Sequence, residues 1–147
     1  MFCNVIVMME MGVMEDKTVE IKQISEREIW IGESRFYLGE DDIFYETIVG
    51  KQDEKTVTVA LEYHNKFKNM VKGKMKMLIN LNNAGHLSSE ARKIGKKTFE
   101  DEKIGKVAMF GMHPVARVLA SFVMGVTKKE DMRFFKTKEE ALAWLKE

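Results

Sequence analysis

The residues of this chain with the widest chemical reach gather in two short segments. Residues 80–92 contain His86, Ser88 and Ser89, and residues 112–121 contain His113, Arg117 and Ser121. Each segment follows an apolar run that reads as a parallel strand, so both belong at the strands' carboxyl ends, where open α/β sheets carry their sites. Two histidines on one rim suggest proton transfer, but no carboxylate, cysteine or activated serine completes a mechanism within either segment. The expectation is therefore a protein that is not an enzyme. Ser88 or Ser89 suits the cap of a following helix, and Glu90 in its first turn faces the positive end of the helix dipole. A hydroxyl placed there is also open to phosphorylation, because free backbone N–H groups would hold the phosphate. His113, directly before Pro114, reads as a turn residue held in extended geometry.

The remaining candidates have structural readings. His64 falls within the apolar arc of a helix with no acid or second histidine beside it, and reads as a packing histidine. The acidic cluster 39–42 (Gly-Glu-Asp-Asp) is turn chemistry at a hairpin tip. Lys66, Lys68, Lys72, Lys74 and Lys76 form the densest positive run and could attract anionic lipid or phosphate. They also suit a helix end, with Gly73 stopping the helix and Lys76 on a strand's polar edge. Gly95-Lys96-Lys97-Thr98 looks like the end of a phosphate-binding loop but lies inside a helix with its earlier glycine misplaced. No metal site and no cofactor are expected.

The elements that must position these groups are legible in the pattern of apolar residues. Val19, Ile21, Ile29 and Ile31 alternate as strands. Residues 35–38 and 43–49 form a hairpin about the turn 39–42. A first helix spans 53–72, with Val57, Val59, Ala60, Leu61, Tyr63, Phe67, Met70 and Val71 on one face. Residues 75–81 are a strand, 89–100 a narrowly amphipathic helix with Ala91, Ile94, Gly95, Thr98 and Phe99 inward, 105–111 a strand and 132–135 another. Thr137 with Glu140 three residues later is a capping box that opens the last helix, whose Trp144 belongs to the core. The helix 115–125 is apolar almost all round, apart from the stripe of Pro114, Arg117, Ser121 and Gly125. Such a helix must bury more than one flank. Val115, Val118, Leu119 and Phe122 are expected to form either one wall of an apolar pocket or the surface of a homodimer.

The whole is expected to be one α/β domain of 147 residues. Its 24 Lys and Arg against 23 Asp and Glu leave a net charge of +1, too small a field to recruit nucleic acid. The lone Cys3 excludes an internal disulfide and, with no secretion signal, points to a reducing cytoplasm. The apolar start is interrupted by Glu10 and is neither signal peptide nor membrane span. Residues 1–15 read as an N-terminal extension to a domain at 16–147. Methionines at 1, 8, 9, 11 and 14 allow translation to start at Met14, the alternative being an added edge strand.

Residues 105–111 (Gly-Lys-Val-Ala-Met-Phe-Gly), Pro114-Val-Ala-Arg117 with Ser121-Phe-Val-Met-Gly125, and 134–145 (Phe-Phe-Lys-Thr-Lys-Glu-Glu-Ala-Leu-Ala-Trp-Leu) resemble the closing half of the STAS-like, SpoIIAA-like family. The resemblance runs from about Met75 to the end and extends to about Val19. It implies a STAS-like mixed sheet with an N-terminal antiparallel hairpin, a parallel portion and about four helices. It also implies a regulatory or protein-interaction module, or a carrier of a small apolar or anionic lipid ligand of Sec14-like type; in a carrier, the helix 115–125 is expected to line the pocket and Arg117 to orient an anionic head group. In phosphoswitch members of that family a loop ends in Asp-Ser-Ser/Thr-Gly. Here Ser88 takes the Asp position and Ser89 that of the phosphorylated serine, followed by Glu90 and Ala91. The motif is therefore not intact, and Glu90 would repel a phosphate on Ser89.

Overall fold

The computed structural model describes residues 5–10, 18–127 and 129–147, with side chains from Val19 onward except Val126. Cys3 and Met14 lie outside the described residues. Among the described residues one eight-stranded sheet runs in sequential order, β1 (Val5–Glu10), β2 (Thr18–Ser25), β3 (Glu28–Ile31), β4 (Ser34–Leu38), β5 (Ile43–Gln52), β6 (Met75–Leu87), β7 (Ile104–Phe110) and β8 (Met132–Phe135). The first five form an antiparallel meander, and β5 to β8 are parallel. Val5–Glu10 is thus the outermost strand, paired with β2.

Helices α1 (Glu54–Lys68), α2 (Ser89–Phe99) and α3 (Pro114–Val126) are the three crossovers of the parallel half. Crossovers of one hand along a sheet of sequential order bring all three helices to the same face. Helix α4 (Lys138–Leu145) follows β8 and covers the opposite face. Two cores result. Phe44, Val59, Phe67, Met77 and Met109 belong to the larger, and Ile43, Leu78, Ala108, Trp144 and Leu145 to the smaller.

The helix starts are built locally, as their sequences dictate. Asp53, Ser88 and Thr137 each accept a hydrogen bond from the third residue on, at Thr56, Ala91 and Glu140. The Thr137 hydroxyl also donates to the Glu140 carboxylate at 3.0 Å, so the two expected capping residues meet side chain to side chain. Pro114 occupies the first turn of α3, and His113 is the cap, its Nδ1 accepting from the Val115 N–H at 3.2 Å.

Two boundaries differ from the expectation. Helix α1 ends at Lys68 rather than residue 72, because the chain must turn through Gly73, with φ +73°, to enter β6. More consequentially, β6 does not stop at Leu81. It continues through the polar stretch 82–87 and pairs with the tail of β5, Val49 with Asn83, Gly50 with Ala84, and Gln52 with Leu87. A Cβ on Gly85 would lie 2.9 Å from the Gly50 backbone, so this close pairing requires glycine there. Pairing of β6 with β7 ends earlier, at Asn80 and Phe110. Where the strands part, Asn82 Oδ1 accepts from the Met112 N–H at 2.9 Å.

Candidate functional site: an apolar pocket beneath three helices

The parting of β6 from β7 leaves the three crossover helices spread over a sheet that splays beneath them. A cavity of about 150 Å³ lies between. Its floor is the helix-facing side of the sheet, with Phe36 from β4, Glu46 and Ile48 from β5, Met77, Ile79 and Leu81 from β6, and Met109 from β7. Val57, Ala60, Leu61 and His64 of α1 form one wall, Ala91, Gly95 and Phe99 of α2 a second, and Leu119, Phe122 and Val123 of α3 a third. The Arg92 guanidinium lies 4.3 Å over the Phe122 ring, and its Nε donates to the Leu87 carbonyl at 3.0 Å. This cation–π contact joins α2 to α3 at the pocket's edge.

Three polar side chains interrupt the apolar lining. His64 is buried, its Nε2 3.4 Å from Met77 Sδ and its ring edge-on to Phe44 with centroids 5.2 Å apart. Burial, aided by the positive charge of Lys68 and opposed by Asp101, lowers its pKa to about 4, so the ring is neutral at pH 7. Gln52 donates through Nε2 to the carbonyls of Val49 and Gly50. Glu46 has no hydrogen bond or ion pair among the described residues, and burial alone raises its pKa to about 8. Glu46 is half-buried, and its carboxyl oxygens keep some accessible surface, since no fully buried side-chain oxygen or nitrogen among the described residues lacks a partner. Its position in the lining accounts for this, since the surface it exposes is the interior of the pocket.

The rim residues expected from sequence do not form one cluster. His86 is exposed within β6, six residues past the last one paired with β7, or about 20 Å along the strand. Ser88 caps α2, its hydroxyl accepting from the Ala91 N–H at 3.1 Å, while the exposed Ser89 donates to Glu90 at 3.1 Å. His113 caps α3, and Arg117 and Ser121 are exposed further along that helix. Of the four apolar candidates, Leu119 and Phe122 line the pocket. Val115 and Val118 lie outside the lining, 41% and 67% exposed, beside Met112 at 77%, and Phe122 at the pocket's edge is itself 41% exposed. The helix thus divides, with Leu119 and Phe122 in the pocket lining, Val115 and Val118 exposed, and Ala116 and Ala120 fully buried between.

Sequence reasoning missed Glu46. The available signal was its place within the apolar run 43–49, on the same strand face as Phe44, where a charged side chain enters the layer beneath the helices.

The other charged features are structural. Asp41 accepts from the Ile43 N–H and the Tyr45 hydroxyl at the hairpin tip, and Arg27 pairs with Asp42 there. Lys76 and Lys106 donate to the carbonyls of Leu145 and Trp144, holding the negative end of α4. Lys68 pairs with Asp101, tying the end of α1 to the turn before β7. Among the described residues no three His, Cys, Asp or Glu side chains converge as a metal site, and no helix is long and apolar enough to cross a membrane.

A crystal structure of an uncharacterized protein from the DUF3478 family with a SpoIIAA-like fold, from Shewanella loihica PV-4, matches over 90% of this chain and 99% of its own. The TM-score is 0.60 at 18% identity, a likeness that shows the fold to be SpoIIAA-like. No curated protein matches the chain. Residues 37–147, from the end of β4 through the pocket to the last helix, match the family described as Domain of unknown function (DUF7793), and the chain belongs to that family.

Proposed function

We propose that this SpoIIAA-like domain is a non-enzymatic cytoplasmic binding module whose pocket beneath α1, α2 and α3 holds a small apolar ligand. The observation that carries this reading is the apolar cavity of about 150 Å³ walled by side chains of all three crossover helices. An apolar space of this volume accepts guests of about the size of benzene. That narrows the ligand from a full lipid to a compact molecule, since a longer chain would have to part the helices. The engaged hydroxyls of Ser88 and Ser89, together with the His64 nitrogen facing a methionine sulfur, support a binding role over a catalytic one. Native mass spectrometry of freshly purified protein, with solvent extraction of the same sample, tests the reading. A copurifying compact apolar molecule is expected, or saturable shifts of the Met77 and Ile79 methyl resonances when benzene is titrated. Absence of both would overturn it.

A second reading concerns protein interaction, and the exposed Met112, Val115 and Val118 on the outer flank of α3 favour it. Their occupant under this reading is a second copy of the chain, giving a homodimer in which the apolar flanks meet. Sedimentation across a concentration series is expected to show association that Val118→Asp abolishes. A strict monomer would remove the dimer and leave the pocket reading intact. No phosphoswitch enters either reading, because Ser89 sits beside Glu90 and the flanking Asp and Gly of the motif are missing.

A further inference from the structure

A carboxyl group on the floor of a largely apolar pocket, with no hydrogen bond or ion pair to any described residue, needs an explanation of its own. Glu46 is paired across the sheet with Phe36 on β4 and Ile79 on β6, both of which line the same cavity. Among the described residues it makes no hydrogen bond and no ion pair, and burial is the only influence on its carboxyl. The titratable or charged groups lining the cavity with it are His64 on α1 and Arg92 and Lys96 on α2. His64 is neutral and turned to Met77, Arg92 is engaged with Leu87 and Phe122, and Lys96 is exposed. The β4, β6, β7 and α3 parts of the lining contribute no charged side chain.

We propose that Glu46 is a protonated hydrogen-bond donor that selects, for this pocket, compact uncharged ligands carrying a carbonyl oxygen. The proposal rests on the pocket reading above and adds the chemistry of the head group. An isolated carboxylate in apolar surroundings is too costly to keep, so the group takes up a proton. Its acid O–H then faces a mostly apolar lining, in which His64 is turned to Met77 and the Gln52 amide is engaged with the Val49 and Gly50 carbonyls. A purely apolar guest would bury that O–H unmet, whereas a ligand carbonyl receives it. A cationic guest would have to enter past Arg92 and Lys96. Carboxylic acids held neutral by an apolar site are known to act as hydrogen-bond donors, so the role is chemically ordinary.

The experiment compares three near-isosteric probes, acetophenone, isopropylbenzene and the 1-phenylethylammonium ion, by methyl NMR titration of the intact chain. At pH 6.5 acetophenone is expected to bind about tenfold more tightly than isopropylbenzene, the difference made by one satisfied donor. At pH 9.5, with Glu46 ionised, that advantage is expected to vanish. Glu46→Leu should equalise the two neutral probes at every pH. Glu46→Gln, whose amide still donates, should keep a preference for acetophenone and lose the pH dependence. Equal binding of the neutral probes to the native chain at pH 6.5 would overturn the donor role and leave the pocket reading standing. So would a preference that persists in Glu46→Leu. Tightest binding of the ammonium ion would make Glu46 a counter-ion instead, and failure of all three probes to bind would sink the donor role and the pocket together.

Discussion

The two faces of the sheet solve the same packing problem with different degrees of closure. Under α4 the end of the helix is closed by two lysines. Lys76 and Lys106 bond to the last carbonyls of the helix, and Trp144 packs on Phe135 with ring centroids 5.7 Å apart. Ala141 and Leu145 are fully buried. Under α1, α2 and α3 the covering is broader yet leaves a cavity with a lone carboxyl in it. One helix can settle onto parallel strands with few constraints. Three helices, each tethered to a strand pair of different length, cannot all settle at once. Helix α2 begins at Ser88, at the tip of the extended β5–β6 ribbon, whereas α3 begins where β7 ends. The gap follows from that difference in tether.

The largest test of this contrast is a pair of truncations. Trp144→Ala on the closed face is expected to cost about 3–5 kcal/mol, since it removes a large side chain from a sealed core. Leu119→Ala, on the wall of an existing cavity, is expected to cost ~1–2 kcal/mol, because part of its surface already faces empty space. Urea unfolding of both variants measures this, and equal losses would show that the two faces are packed alike.

The next effect is one of pH. The folded-state pKa of Glu46 is raised to about 8 from 4.5, so the folded chain binds more protons than the unfolded chain between these values. Stability from this group is therefore greatest below pH 4.5 and is lost as pH rises to about 8. His64 has the opposite shift: its folded pKa is depressed to about 4 from 6.5, and its contribution is lost as pH falls through that window. The two oppose each other between pH 4.5 and 6.5, which leaves Glu46 alone to lower stability from pH 6.5 to 8. Glu46→Gln is expected to remove that decline and to unfold at higher urea than the native chain at pH 8. Parallel pH profiles for the two proteins would contradict the neutral acid.

Smaller effects separate caps from surface. Ser88→Ala is expected to destabilise by about 1 kcal/mol through loss of the α2 cap. Ser89→Glu, at an exposed neighbouring position, should stay within about 0.5 kcal/mol. Thermal unfolding distinguishes them, and reversed magnitudes would mean that Ser89 is the true cap.

How far such features could be read in advance follows the range of the interactions that make them. The caps at Ser88 and Thr137 and the turn at 39–42 rest on hydrogen bonds spanning a few residues, so their chemistry was visible in order along the chain. His64 was readable as a packing residue because a helix repeats regularly and its apolar arc can be drawn. The strand pairing of 82–87 was not readable. Asn82, Asn83, Gly85 and His86 have the composition of a loop, and only the tail of β5 beside them supplies partners for their backbone groups. The division of the α3 candidates also escaped, because periodicity shows that a helix is apolar on several flanks without showing which flank is covered.

By itself, the sequence determined the order of elements, their caps and the α/β class, which follow from local hydrogen bonding and apolar period, while the likeness to SpoIIAA-like proteins was carried by the residues of 105–111, 114–125 and 134–145. Tertiary structure alone decided that β5 and β6 run on past β7, that the crossover helices therefore wall a pocket, and that the Glu46 carboxyl lies in its lining without a partner among the described residues. The physical reason is that burial belongs to no single residue: it depends on which distant segments exclude water from a group, and for Glu46 those segments are three helices and two neighbouring strands.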